Sequence, residues 1–167
     1  MDSEYGDTGS SERPGEVMRE LSLEKIVSFC RDLIEHLQMD LTAEGHERDG
    51  VVYINITGRD RGQLLSNTAA LLNNIEYLLN KVFPGNREEA PGIELDSDDY
   101  RKHRGLELKL LAQMASQKVQ TSGKSLTLQP MIPRERRIVH LALAEVAGVE
   151  SRSEGRGDDR SITIFPV

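Results

Sequence analysis

Arg136 and His140 stand four residues apart in the run Pro133-Arg134-Glu135-Arg136-Arg137-Ile138-Val139-His140. On a helix, that spacing brings two side chains to one face. A guanidinium offers a planar fork of N–H donors that matches a phosphate and also stacks on bases; a neighbouring imidazole can hydrogen-bond the same anion or stack. Ile138, Val139, Leu141, Leu143 and Val146 supply the side such a helix would bury. The chemistry implied is the holding of a nucleic-acid backbone. The plain alternative is a charged helix face that is merely solvated.

Residue types for other chemistries are present without the spacing those chemistries need. There is no glycine loop of the kind that cradles nucleotide phosphates. The carboxylates form no acid/base pair in an apolar setting. His36, His46, His103 and His140 show no metal-ligand spacing. Ser66 and Ser153 lie at no nucleophile elbow. Asp158-Asp159, in a glycine-containing loop, reads as a solvated turn rather than a cation site. The single cysteine, Cys30, sits in the apolar run Ile26-Val27-Ser28-Phe29-Cys30 and reads as a core side chain. The expectation is a protein with no catalytic residues, no metal and no cofactor.

The elements that must position these residues follow from periodicity. Residues 1–20 are polar and acidic, bury too little to offset ordering entropy, and are expected to be a disordered tail. A helix is expected from about 22 to 38, with Ser22 as its N-cap and Leu23, Ile26, Val27, Cys30, Leu33, Ile34 and Leu37 as its stripe. Leu41–Glu47 is a weak strand and Val51–Ile56 a strong one, with Asp49-Gly50 between them as a hairpin turn. Asp60–Phe83 reads as an interrupted helix, stopped by Pro84-Gly85-Asn86. Ile93–Leu95 is a short strand.

Ser97-Asp98-Asp99 then opens a long helix, since Ser or Asp can cap it. That helix reaches about Gln120, and Gly105 inside it is a candidate kink. After Gly123 come a strand at Ser125–Leu128, a helix from Pro133 to about Ala147, and strands at Val149–Ser153 and Ser161–Phe165 joined by the polar loop Glu154–Arg160. The order predicts an α+β protein of two small modules.

Charge divides along the chain. The whole carries a formal −7. From Asp40 to Asp96, five basic residues face ten acidic ones; from Lys124 onward, seven basic residues face six acidic ones. Any attraction for polyphosphate is therefore expected in the C-terminal part. No apolar run reaches the roughly 20 residues a membrane span needs. The N-terminus has no signal-peptide core, so a cytoplasmic location is expected.

Several segments together resemble the bacterial Jag family. Gly123-Lys124, Leu128-Gln129-Pro130-Met131-Ile132-Pro133, Glu135–His140, Ser153-Glu154-Gly155 and Ile162-Thr163-Ile164 are similar to its C-terminal domain, called here the Arg-x-x-x-His domain. Upstream, Gly58-Arg59-Asp60-Arg61-Gly62-Gln63-Leu64-Leu65, Leu72–Asn80 and Asp99-Tyr100-Arg101 with Arg104 resemble the type II KH domain that precedes it in the family.

The resemblance implies a KH-like domain over 21–97, a connecting helix over 98–122, and over 123–167 an Arg-x-x-x-His domain with a small three-stranded sheet packed on helices. It also implies binding of single-stranded RNA, with single-stranded DNA as a competing ligand, and a role as post-transcriptional regulator or RNA chaperone. The contact residues would be Arg136 and His140 with Arg137, Arg134, Lys124, Ser153 and Arg160. One departure stands out. Where a KH domain carries a GxxG loop, this chain has Ser66-Asn67-Thr68-Ala69, without either glycine and without a basic residue. Arg59 and Arg61 flank that loop. The alternative reading makes the KH-like module a protein-interaction unit, forming a homodimer or docking a KH-protein partner.

Overall fold

The computed structural model describes residues 14–84 and 92–167, with residues 14–21 by backbone alone. The chain divides into two compact units, Met1–Asp98 and Asp99–Val167.

The first unit opens with α1, Pro14–His36. It starts well before the expected Leu21 or Ser22, so Ser22 is not its N-cap. Pro14 suits a helix start, because its ring fixes φ and its missing N–H would have had no partner there. The rest of the expected tail, residues 1–13, lies outside the described residues. On α1, Ile26, Val27, Cys30 and Ile34 are buried at helical spacing. Burial pushes the Cys30 thiol up to about 11, against the opposing pull of Arg31, which suits a core side chain rather than a nucleophile.

β1 (Leu41–Arg48) and β2 (Val51–Gly58) form an antiparallel hairpin. Asp49 and Gly50 at its tip both have positive φ, 53° and 74°, the requirement that favours Asp-Gly in a two-residue turn. β3 (Ile93–Asp96) joins β2 in parallel, giving the order β1-β2-β3. The free edge of β3 is closed by helix side chains. Asn80 donates to Ile93 O at 2.8 Å and accepts from Ile93 N at 3.1 Å, and Glu76 Oε2 accepts from Leu95 N at 2.8 Å. These bonds occupy backbone groups that an edge strand otherwise leaves open.

Between β2 and β3 lie α2 (Arg61–Leu64) and α3 (Ser66–Val82). Leu72, Ile75 and Leu79 of α3 are buried. The expected interruption is a run of left-handed backbone at Asn67, Thr68 and Ala69, with φ of 49°, 62° and 57°.

The second unit begins with α4, Tyr100–Ser122. It runs without a break through Gly105, the candidate kink. The capping expectation also changes. Asp99 occupies the N-cap at φ 58° with no side-chain cap bond. Ser97 instead donates to Ile56 O at 2.6 Å and accepts from Arg61 Nε at 2.9 Å. β4 (Leu126–Thr127), β5 (Val149–Glu154) and β6 (Ser161–Pro166) form an antiparallel sheet in the order β4-β6-β5.

α5 runs Pro133–Ala144, with Pro133 at its start as expected. It stops three residues short of the expected Ala147; Val146 N donates to Leu143 O, the i→i+3 bond that tightens a final turn. Leu108, Ala112, Ala115 and Val119 of α4 share one core with Val139 and Leu143 of α5 and Ile162 and Ile164 of β6. The helix expected to serve as a connector thus forms a wall of this core. Among the described residues, no helix is long and apolar enough to cross a membrane.

Candidate nucleic-acid interface

α5 separates its residues by face. Val139 and Leu143 point into the core, and so does Glu135, one turn before Val139. Glu135 Oε1 accepts from Arg104 Nε at 2.8 Å, and Arg104 Nη1 also reaches Glu107 at 3.2 Å. Glu135 Oε2 is buried without a hydrogen-bond partner among the described residues. This carboxylate is therefore turned toward α4 and matched there by a cation. A buried charge left without a partner would be costly.

The opposite face of α5 presents Arg136, Arg137 and His140. They line an open concavity together with Ser151 and Ser153 of β5 and Arg160 just before β6. The hydroxyls arrive by strand alternation. Residues 149, 151 and 153 of β5 are half-buried, while 150, 152 and 154 are exposed on the other face. Glu150 and Glu154 are thereby directed away from the concavity. Arg152 goes with them, gripped by Glu150 at 3.1 and 3.2 Å and lying 5.2 Å from the Phe165 ring centroid. No carboxylate lines the concavity among the described residues.

Its side chains are held in place. Arg136 Nη1 donates to Met131 O at 2.7 Å, which leaves the other donors of its fork available. Arg160 Nε donates to Ser153 Oγ at 2.9 Å. His140 Nδ1 lies 2.8 Å from Ser151 Oγ. Burial, and secondarily the charge of Arg136, hold the His140 pKa below the usual imidazole value. Gly155 starts the turn that carries Arg160. Its φ is +92°, and a Cβ there would stand 2.8 Å from Asp159 O, so the turn requires glycine.

Of the residues singled out in the sequence, Arg136, Arg137, His140, Ser153 and Arg160 come together here. Arg134 and Lys124 do not line the concavity. Arg134 is exposed in the first turn of α5, and Lys124 is exposed just after the α4 C-cap, Gly123. Ser151 is a member that sequence reasoning misses. The signal that could find it is the period of two that places it on the same strand face as Ser153.

In the first unit, Ser66-Asn67-Thr68-Ala69 forms the left-handed turn into α3. Ser66 and Asn67 line a second concavity with Leu37, Met39, Gln63 and Leu71, and no charged side chain contributes to it among the described residues. The flanking arginines are engaged elsewhere. Arg61 donates to Ser97 Oγ and Ser97 O at 2.9 and 2.8 Å and pairs with Asp98 at 3.4 Å; Arg59 pairs with Asp40 at 3.5 Å.

A family model for the Arg-x-x-x-His domain matches residues 106–166, beginning inside α4. Among curated proteins, the RNA-binding protein KhpB of Clostridium symbiosum is 30% identical over 148 residues, covering 87% of this chain and 67% of that protein. The RNA-binding protein KhpB of Bacillus subtilis is 30% identical over 131 residues, covering 75% of this chain and 60% of its own length. The protein of the same name from Lactiplantibacillus plantarum is 30% identical over 111 residues, covering 66% and 34%. The chain thus spans about a third to two thirds of the length of these relatives. With that domain match and the extent of the Clostridium symbiosum alignment, the chain belongs to the Jag family, the family of the KhpB proteins.

Proposed function

We propose that the chain binds single-stranded RNA in the concavity between α5 and β5, and that it acts by binding, without catalysis, as a post-transcriptional regulator or RNA chaperone. The observation that carries this reading is a surface with three guanidiniums, an imidazole and two hydroxyls, and no carboxylate, in a chain whose formal charge is −7. Phosphate is the ligand such a donor set favours. The printed names of the relatives agree with it. Arg136 and His140 are the central contacts, with Arg137, Ser153 and Arg160 around them and Arg134 and Lys124 at the periphery.

The test is fluorescence anisotropy of a labelled single-stranded RNA, with single-stranded DNA as competitor, at several salt concentrations. Three guanidinium contacts to a single strand predict a slope of log affinity against log salt of about −2, from ~0.7 per contact. Arg136→Ala/His140→Ala lowers affinity by about a hundred-fold, the sum of two charge-assisted contacts. Unchanged affinity in that folded double variant refutes the reading.

A second reading concerns the first unit, which we take to be KH-like on its element order and on the left-handed turn between α2 and α3. Its uncharged concavity favours a lapsed nucleic-acid site that serves as a scaffold or protein-docking module. A concentration-independent monomer in light scattering, with no partner in a pulldown, counts against docking.

A further inference from the structure

His140 Nδ1 is engaged by Ser151 Oγ at 2.8 Å, and no carbonyl or carboxylate takes that place. The difference matters for what the ring can offer a ligand. A backbone carbonyl only accepts. It would force the proton of a neutral ring onto Nδ1 and leave Nε2 as a bare acceptor, which repels phosphate. A carboxylate would do the same and add a negative charge to an acid-free surface. A hydroxyl both donates and accepts. When the ring is neutral, Ser151 Oγ–H donates to Nδ1 and the proton stays on Nε2. When the ring is charged, Nδ1–H donates to Ser151 Oγ and Nε2 again carries a proton. Nε2 has no hydrogen-bond partner among the described residues.

We propose that Ser151 is a positioning residue whose hydroxyl keeps His140 Nε2–H as a phosphate donor in both charge states of the ring. This rests on the RNA-binding reading above.

The surroundings give the arrangement a measurable consequence. The charged groups facing the ring are Arg136 and Arg137 from α5 and Arg160 from the turn before β6; β5 faces it with Ser151 and Ser153 only. Glu135 of α5 is turned to Arg104, and Glu150 and Glu154 lie on the outer face of β5. In the free protein, burial and Arg136 therefore disfavour the imidazolium. A phosphate placed among these cations removes that penalty and adds an attraction, so the ring binds a proton as RNA binds. The sign follows. The pKa is below its ordinary value in the free state and higher in the complex, so affinity rises as pH falls between those two values and is flat outside them. Each unit by which phosphate raises the pKa is worth about ten-fold in affinity at the acid end.

The test uses the full chain and a short oligouridylate carrying a pH-insensitive dye, with affinity measured from pH 8.5 to 5.5. Wild type is expected to tighten several-fold across this range, and His140→Gln, which keeps a donor but cannot titrate, to give a flat profile. Ser151→Ala is expected to lose about five-fold in affinity at pH 8, the worth of one oriented hydrogen bond, with its salt slope unchanged. Ser151→Thr, which keeps the hydroxyl in a strand that tolerates β-branching, is expected to restore it. Nitrogen-15 spectra of the free protein at pH 8 should show His140 as the Nε2–H tautomer in wild type and a mixture in Ser151→Ala. A Ser151→Ala protein with wild-type affinity and pH profile, or a wild-type ring protonated on Nδ1 alone, overturns the proposal. Wild type that does not bind the oligomer, while the tautomer behaves as stated, sinks the RNA reading but not the role of Ser151. Loss of binding in Arg136→Ala with none in Ser151→Ala does the reverse.

Discussion

The two units each carry a concavity of similar size, about 640 Å³ beside the turn into α3 and about 570 Å³ beside α5. Their linings differ. The first offers amides, a hydroxyl and aliphatic carbons; the second offers three guanidiniums and an imidazole with no acid. Both are lined by one face of a helix, so size and location do not separate them. What separates them is where each unit sends its charges. In the first, Arg61 and Arg59 are consumed by Ser97, Asp98 and Asp40. In the second, the acids are the ones removed, Glu135 into a pair with Arg104 and Glu150 and Glu154 to the far face of a strand. A surface becomes anion-binding as much by the disposal of its carboxylates as by its supply of arginines.

This contrast can be broken most sharply by putting an acid back. Ser153→Glu places a carboxylate beside Arg160 and within the phosphate surface, and lowers RNA affinity by about fifty-fold, read by anisotropy on a protein shown to be folded by circular dichroism. Arg160→Ala comes next, with about a ten-fold loss and a salt slope shallower by ~0.7. Thr68→Gly acts on the other unit. It relieves a β-branched residue at φ 62°, raises stability by about 1 kcal/mol in denaturant melts, and leaves RNA affinity unchanged. The smallest effect is a gain. Asn67→Lys supplies the first concavity with a charge and strengthens RNA binding by about three-fold with a steeper salt slope. No gain there would mean that this unit lacks more than a cation.

The element order is legible in the sequence because the stripes of α1, α3 and α5 and the alternation of β2 are local signals. The Arg136/His140 pair is legible for the same reason, as a four-residue spacing needs only a helix. What escapes is what depends on packing. The early start of α1 at Pro14 lies in polar sequence with no apolar stripe to announce it. The role of α4 as a core wall of the second unit rests on Leu108, Ala112, Ala115 and Val119, whose small and spaced side chains read equally well as a linker helix. Nearness along the chain groups Lys124 and Arg134 with the site, although neither faces the concavity. Ser151 goes unseen because a serine in a half-exposed strand carries no signal until the helix opposite it is known.

The half-buried and exposed rows of β5 differ by a single step along the chain. Ser151 and Ser153 face α5 only in the present pairing with β6, in which Ser151 meets Ile164 and Ser153 meets Ile162. A shift by one residue would turn Glu150 and Glu154 toward Arg136 and His140 and present a row of acids in place of hydroxyls. The length of the segment between Ala144 and Val149 therefore sets the sign of the surface. Chain-length changes of one residue there should be as damaging to RNA binding as loss of an arginine, even in a protein that keeps every side chain named here.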